Sequence, residues 1–265
     1  MPTIGTQEQS IYYEVAGEGP AIVFLHGTTG DSSTYWAKQV PFFSQEFKVI
    51  TVDLCGHGES KLVMMMEGYF EDCANDVRRI LDELNIAKTH IVGLSKGGLV
   101  AQHFALKYPQ RVRRLVLADT SSGIKTEKLR RFLEDVLFKT AERSGMEHVF
   151  DLNLLWAHSE RYLEENKDKI ASEREHFAKT PVEEYIAVLR ATRAADITDQ
   201  LHKISAPTLV IWGSEDIEIP RLHSDILVKK IPNAILVIIE GAGHKSCVDR
   251  PEEFNKVINT FLKDL

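Results

Sequence analysis

The run Gly93-Leu94-Ser95-Lys96-Gly97 sets a serine hydroxyl between glycines where an apolar stretch, Thr89-His90-Ile91-Val92, ends and a helical pattern begins. A serine hydroxyl ionises far above neutrality and is a poor nucleophile. It needs a base within hydrogen-bond reach, and the base needs an acid to fix its tautomer. Of the ten histidines, His244 follows a complete apolar run, Ile235-Leu236-Val237-Ile238-Ile239, on the loop Gly241-Ala242-Gly243. Asp216 holds the matching place after Thr208-Leu209-Val210-Ile211-Trp212. The order Ser95, Asp216, His244 is the one found where a nucleophile sits on a strand-to-helix elbow. Two other acids compete: Asp119, at the end of Arg114-Leu115-Val116-Leu117-Ala118, and Glu215, beside Asp216.

Acyl transfer also needs donors for the oxyanion of the tetrahedral intermediate. The backbone N–H of Lys96, next after the serine, is one, and the N–H of Thr28 in His26-Gly27-Thr28-Thr29-Gly30 is the other. The turn at Ser95 is so tight that the positions two before and two after it must lack a Cβ. His26 and His57 read as bracing residues and Asp53 as a hydrogen-bonding anchor for the loop it opens.

The elements that must position these groups follow from hydrophobic pattern. Gln9–Val15 reads as an edge strand, while Ala21–Leu25 and Lys48–Val52 are apolar runs suited to strands covered on both faces. Helices are expected from about Ser33 to Phe43, Glu71 to Leu84, Leu99 to Tyr108, from Pro220, and from Pro251 to Leu262. Alternating strands and helices imply βαβ units and a mostly parallel sheet. Between about Ile124 and Ile197 strand runs vanish and apolar residues recur at helical spacing. Trp156, Phe150, Leu154, Leu155 and Phe177 of this insertion either pack its own core or face a ligand.

At 265 residues and 43% hydrophobic, the chain can bury one sizeable core. A net charge of −7 with no basic run gives no reason to expect nucleic acid or an anionic membrane as partner. No signal-like start or membrane-length apolar run is present, and Cys55, Cys73 and Cys247 lack metal-ligand spacing. A soluble cytoplasmic protein with free thiols, no metal and no cofactor is therefore expected.

Taken in order, His26-Gly27, Asp53 with Gly56-His57-Gly58-Glu59-Ser60, Gly93 to Gly98, Gly213 to Asp216 and Gly243-His244 resemble the α/β-hydrolase superfamily from about Tyr12 to Leu262. The resemblance implies a mostly parallel sheet flanked by helices, with a core over 1–123 and 198–265 and a helical cap, 124–197, inserted after the sixth strand. It puts nucleophile, acid and base on Ser95, Asp216 and His244, and the oxyanion donors on Thr28 and Lys96. The run Thr180 to Tyr185, with Ala194 to Ile197 and Ile204 to Val210, looks like the 3-oxoadipate enol-lactonase group and its esterase neighbours. Ser95 differs from the aspartate of haloalkane dehalogenases and epoxide hydrolases. Leu94 departs from the asparagine usual before the serine in meta-cleavage C–C hydrolases. Lys96 departs from the uncharged residue common there, and its ammonium either draws an anionic substrate or faces solvent. The expected activity is hydrolysis of a small carboxylic ester or lactone through an acyl-enzyme. C–C cleavage of a dienoate and a hydrolase-like small-ligand receptor are the competing readings.

Overall fold

A computed structural model describes residues 3–5, 10–61 and 68–263. Eight strands form one sheet in the order β1-β2-β4-β3-β5-β6-β7-β8. They are β1 (Thr3–Gly5), β2 (Ser10–Ala16), β3 (Ala21–Leu25), β4 (Lys48–Val52), β5 (Thr89–Leu94), β6 (Val112–Ala118), β7 (Thr208–Gly213) and β8 (Ala234–Ile239). From β4 to β8 all neighbours pair in parallel, and β1 and β2 are antiparallel at one end. The sequence pattern missed β1, whose three residues are exposed or half-buried and carry no periodic signal. Gln9, read as the start of the edge strand, lies outside the described residues.

Residues of β3 are buried throughout, as a continuous apolar run requires when helices cover both faces. On one face, α3 (Tyr69–Glu83), α4 (Lys96–Lys107) and α11 (Leu222–Lys230) pack against Val23, Ile50, Ile91 and Leu115. On the other, α1 (Ser32–Trp36), α2 (Gln39–Phe43) and α13 (Pro251–Lys263) cover Ile22, Phe24, Val92 and Val116. Each aliphatic side chain sealed in this way contributes roughly 1.5–3 kcal/mol. The single helix expected from Ser33 to Phe43 is two helices broken at Ala37-Lys38. Pro41 has no N–H and its ring clashes with the carbonyl four residues back, so the chain restarts with the proline in a first turn.

Between β6 and β7 lie α5 (Glu127–Arg131), a π-helical turn (Phe132–Phe138), α6 (Lys139–Ser144), α7 (Met146–Ala157), α8 (Glu160–Glu165), α9 (Lys167–Phe177) and α10 (Val182–Ala194). Gly123 and Asp196 bridge at the base of this insertion, and Ile197 N–H donates to Ser122 O at 2.9 Å. The insertion has its own apolar cluster, including Phe150 and Phe177, with Trp156 stacked on Phe132 at 4.4 Å. Register aligns Leu25 with Gly93, Leu94 with Ala118, Ala118 with Ile211 and Gly213 with Ile239. The loops after β3, β5, β6, β7 and β8 therefore emerge together at the sheet's carboxyl edge, where ligands of open parallel sheets bind.

Candidate active site

Ser95 occupies φ 54°, ψ −119°, a conformation side chains rarely adopt, between the last residue of β5 and the first of α4. A Cβ on Gly93 would lie 2.3 Å from Gly97 O, and one on Gly97 would lie 2.1 Å from Leu25 O. These are backbone contacts that cannot yield, so the two flanking glycines are a steric requirement of the elbow. Backbone strain at a position held this firmly serves to expose one side chain.

That side chain meets the other end of the protein. Ser95 Oγ is 2.9 Å from His244 Nε2, and His244 Nδ1 is 3.0 Å from Asp216 Oδ2. Asp216 Oδ1 accepts from the backbone N–H of Glu218 and Ile219, which fixes the carboxylate's plane. Asp119 does not reach the imidazole. Its Oδ1 accepts from Gly213 N–H, its Oδ2 from Ser246 N–H and hydroxyl, and it ties β6 to β7 and to α12 (Ser246–Asp249). Burial and the neighbouring Asp216 push its pKa up. Glu215 is exposed.

The bracing residues lie as the sequence suggests. His26 Nε2 accepts from Leu54 N–H at 2.9 Å, and Asp53 accepts from the N–H of Ser32 and of Glu59, both at 3.0 Å. Lys96 overturns both expectations for its charge. It neither faces solvent nor offers its ammonium to a substrate: the side chain is buried, with Nζ 2.8 Å from His57 Nε2. His57 in turn lies against the carbonyls of Cys55 and Thr28. Burial lowers the Lys96 pKa to about 7, against the opposing pull of Cys73, Cys55 and Asp53. The unfolded chain then binds more protons than the native one from about pH 7 up to the ordinary lysine value, so this group adds stability as pH rises through that window. Lys96→Met is expected to remove that gain, which urea midpoints of both proteins between about pH 7 and 10 will show. Equal pH slopes would mean that the amine is not buried in its charged form's disfavour.

Three residues escaped the sequence reading. Glu218, two positions beyond Asp216, turns its Oε1 to within 3.7 Å of His244 Nε2, and Asn153 donates to its Oε2 at 3.2 Å. The alternation along Asp216-Ile217-Glu218 was the available signal. Burial opposes protonation of His244, but Glu218 and then Asp216 outweigh it and push its pKa up to about 10. Asp249, with no sequence signal, accepts from His158 Nδ1, Ser159 N–H and Gly243 N–H at 2.6–2.9 Å and so pins the insertion to the loop carrying His244.

Thr28, Lys96 and Ser95 line one cavity with Leu129, Leu133, Leu137, Asn153, Tyr185, Leu189 and Glu218. It leaves about 50 Å³ for the centres of water-sized molecules, room for a few waters or a short chain. None of Trp156, Phe150, Leu154, Leu155 and Phe177 lines it, and Leu155 is exposed. A larger groove between β8 and α13 holds none of these polar groups. Among the described residues no cluster of His, Cys, Asp and Glu could hold a metal, and no helix is long and apolar enough to cross a membrane.

The sheet, the elbow and the late histidine define an α/β hydrolase: the family model for the α/β-hydrolase fold matches residues 20–251, and the chain belongs to that family. A candidate carbamate hydrolase of Agrobacterium fabrum is 30% identical over 95% of this chain and 98% of its own length. A 2-hydroxy-6-oxo-6-phenylhexa-2,4-dienoate hydrolase of Comamonas testosteroni is 30% identical over 96% of this chain and 91% of its own. Among solved structures, the enol-lactonase of Burkholderia xenovorans superposes with a TM-score of 0.90 at 28% identity, covering 99% of this chain and all of the other. The chain is thus a hydrolase of this family, near the enol-lactonase group.

Proposed function

We propose that the protein is a serine hydrolase of small carboxylic esters or lactones, acting without a cofactor in the cytoplasm, where three buried cysteines outside any disulfide suit a reducing medium. The observation that carries the reading is the unbroken line from Ser95 Oγ through His244 to Asp216, at 2.9 and 3.0 Å, opening on a cavity that holds Thr28 and Lys96. Ser95 Oγ attacks the acyl carbon as His244 Nε2 takes its proton, and the backbone N–H groups of Thr28 and Lys96 receive the oxyanion. The carbon–oxygen bond to the leaving group breaks as His244 returns the proton to it. Water then attacks the acyl-enzyme, giving its proton to His244, and Ser95 leaves with that proton while the acid is released. The helical insertion acts as the lid that shapes the acyl pocket.

The pH dependence follows from the carboxylates around His244. Only the neutral ring accepts a proton, and Glu218 and Asp216 hold the ring's pKa above its ordinary 6.5. Hydrolysis of a short-chain aryl ester is therefore expected to rise with pH on a limb centred above 6.5, not at it. A profile flat from about pH 5 to 9 would remove His244 from the base's role. Similarity to a dienoate hydrolase supports C–C cleavage as a second reading, and a panel of dienoates against esters separates the two.

A further inference from the structure

Among the described residues, two charged side chains line the cavity, Lys96 and Glu218. The Lys96 amine is spent on His57, and the groups that feel its charge, Cys55, Cys73 and Asp53, lie outside the cavity wall. Lys245 is also buried, with Nζ 5.2 Å from the centre of the Tyr35 ring, and does not line the cavity. The charge offered to a ligand is thus the Glu218 carboxylate.

That carboxylate has acceptor capacity left. A carboxylate offers about four acceptor positions, and here Asn153 takes one at 3.2 Å while His244 Nε2 stands off at 3.7 Å. Tyr185 adds a second, independent sign. Tyr185 is 2% exposed and lines the same cavity, yet its hydroxyl has no hydrogen-bond partner among the described residues. Buried hydroxyls are almost always paired, so an unpaired one on a residue of the cavity wall is a candidate partner for a ligand's polar atom. The rest of the wall combines the apolar Leu129, Leu133, Leu137 and Leu189 with the polar Thr29, Thr120, Ser121 and Thr192, none of which carries a charge.

We infer that this cavity selects small esters whose far end carries a hydrogen-bond donor, an ammonium above all, and rejects those ending in a carboxylate, with Glu218 and Tyr185 as the specificity-determining residues. The inference rests on the hydrolase reading and adds to it the substrate's chemical class. A donor would form a charge-assisted bond to Glu218 in a water-poor site and an accepting lone pair would meet the Tyr185 O–H. A second carboxylate would be pressed against Glu218 where screening is weak.

Methyl 4-aminobutanoate, methyl pentanoate and monomethyl succinate are near-isosteres ending in ammonium, methyl and carboxylate. Their kcat/KM values are expected to fall in that order, with about 100-fold between the first and the last. Glu218→Gln is expected to shrink that ratio to below about tenfold, and Tyr185→Phe to weaken the preference for ammonium over methyl several-fold. A wild-type enzyme that takes monomethyl succinate as readily as methyl 4-aminobutanoate, or a ratio unmoved by Glu218→Gln, overturns the inference. Binding of pentylammonium, pentan-1-ol and pentanoate to the Ser95→Ala protein gives a readout that needs no turnover. If the ligands keep the expected order while no ester is cleaved, the hydrolase reading fails and the recognition site stands. If esters are cleaved and the ligands bind without order, the recognition site fails alone.

Discussion

Ser95→Ala is expected to lower kcat for a short-chain ester by about 10⁵–10⁶-fold and to leave the fold and its stability almost unchanged. The chemical half of this expectation follows from the acyl-enzyme route: alanine removes the atom that forms the covalent bond, and His244 and Asp216 then have no alcohol to activate. The structural half follows from what the hydroxyl touches. Its bond is to His244, and the elbow is held by other contacts, the Ser95 N–H to Ala118 O and the close approach of Gly93 to Gly97 and of Gly97 to Leu25. Alanine keeps the Cβ, so the positive φ is no easier or harder to hold. Turnover measured beside a urea melt separates the two halves. A variant that retains a tenth of wild-type activity would contradict the nucleophile's assignment.

Asp216→Asn and Asp119→Asn are expected to part company. An asparagine at 216 presents an amide where the carboxylate accepted from His244 Nδ1, which selects the wrong tautomer and leaves the imidazolium without its partner. A loss near 10⁴-fold in kcat follows, as for an acid in this role elsewhere. At 119 the carboxylate serves Gly213 and Ser246 and no imidazole. Asparagine there loses acceptor capacity toward Ser246, a cost of about 1–3 kcal/mol in stability, with kcat within about tenfold of wild type. Activity lost equally in both variants would mean that the two buried acids act as one unit.

Both acids followed strands in the sequence, chain order favoured Asp216, and in the structure Asp216 is the one hydrogen-bonded to His244 while Asp119 bonds Gly213 and Ser246. Strands with unbroken apolar runs, such as β3 and β7, were legible because burial on both faces leaves no other composition. So were Ser95 and His244, whose glycine neighbours mark the motif even where the contacts that demand them are distant, Gly97 against Leu25 O and Gly243 against His158. What depended on tertiary docking was not legible. Leu133, Leu137 and Tyr185 line the cavity while Trp156 and Phe177 do not, a choice set by how the π-helical turn and α10 pack on each other and α10 on α3. Lys96 could be placed as a backbone donor, yet nothing local showed that its amine would end against His57, 39 residues earlier in the chain. Glu218 matters because it comes within 3.7 Å of His244, a placement that the alternation along Asp216-Ile217-Glu218 allowed but did not fix.

These details bear on the chemistry: the ammonium of Lys96 lies against His57, while Glu218, a glutamate absent from the motif, pushes the His244 pKa up. Asp249 ties the helical insertion to the histidine loop by accepting from Ser159 N–H and Gly243 N–H.

The most direct test is chemical labelling. Brief treatment with a fluorophosphonate, followed by proteolysis and mass spectrometry, is expected to show one phosphonylated peptide, modified at Ser95, with labelling abolished in His244→Ala. An adduct on another residue, or none while the wild-type protein still cleaves esters, would contradict the account.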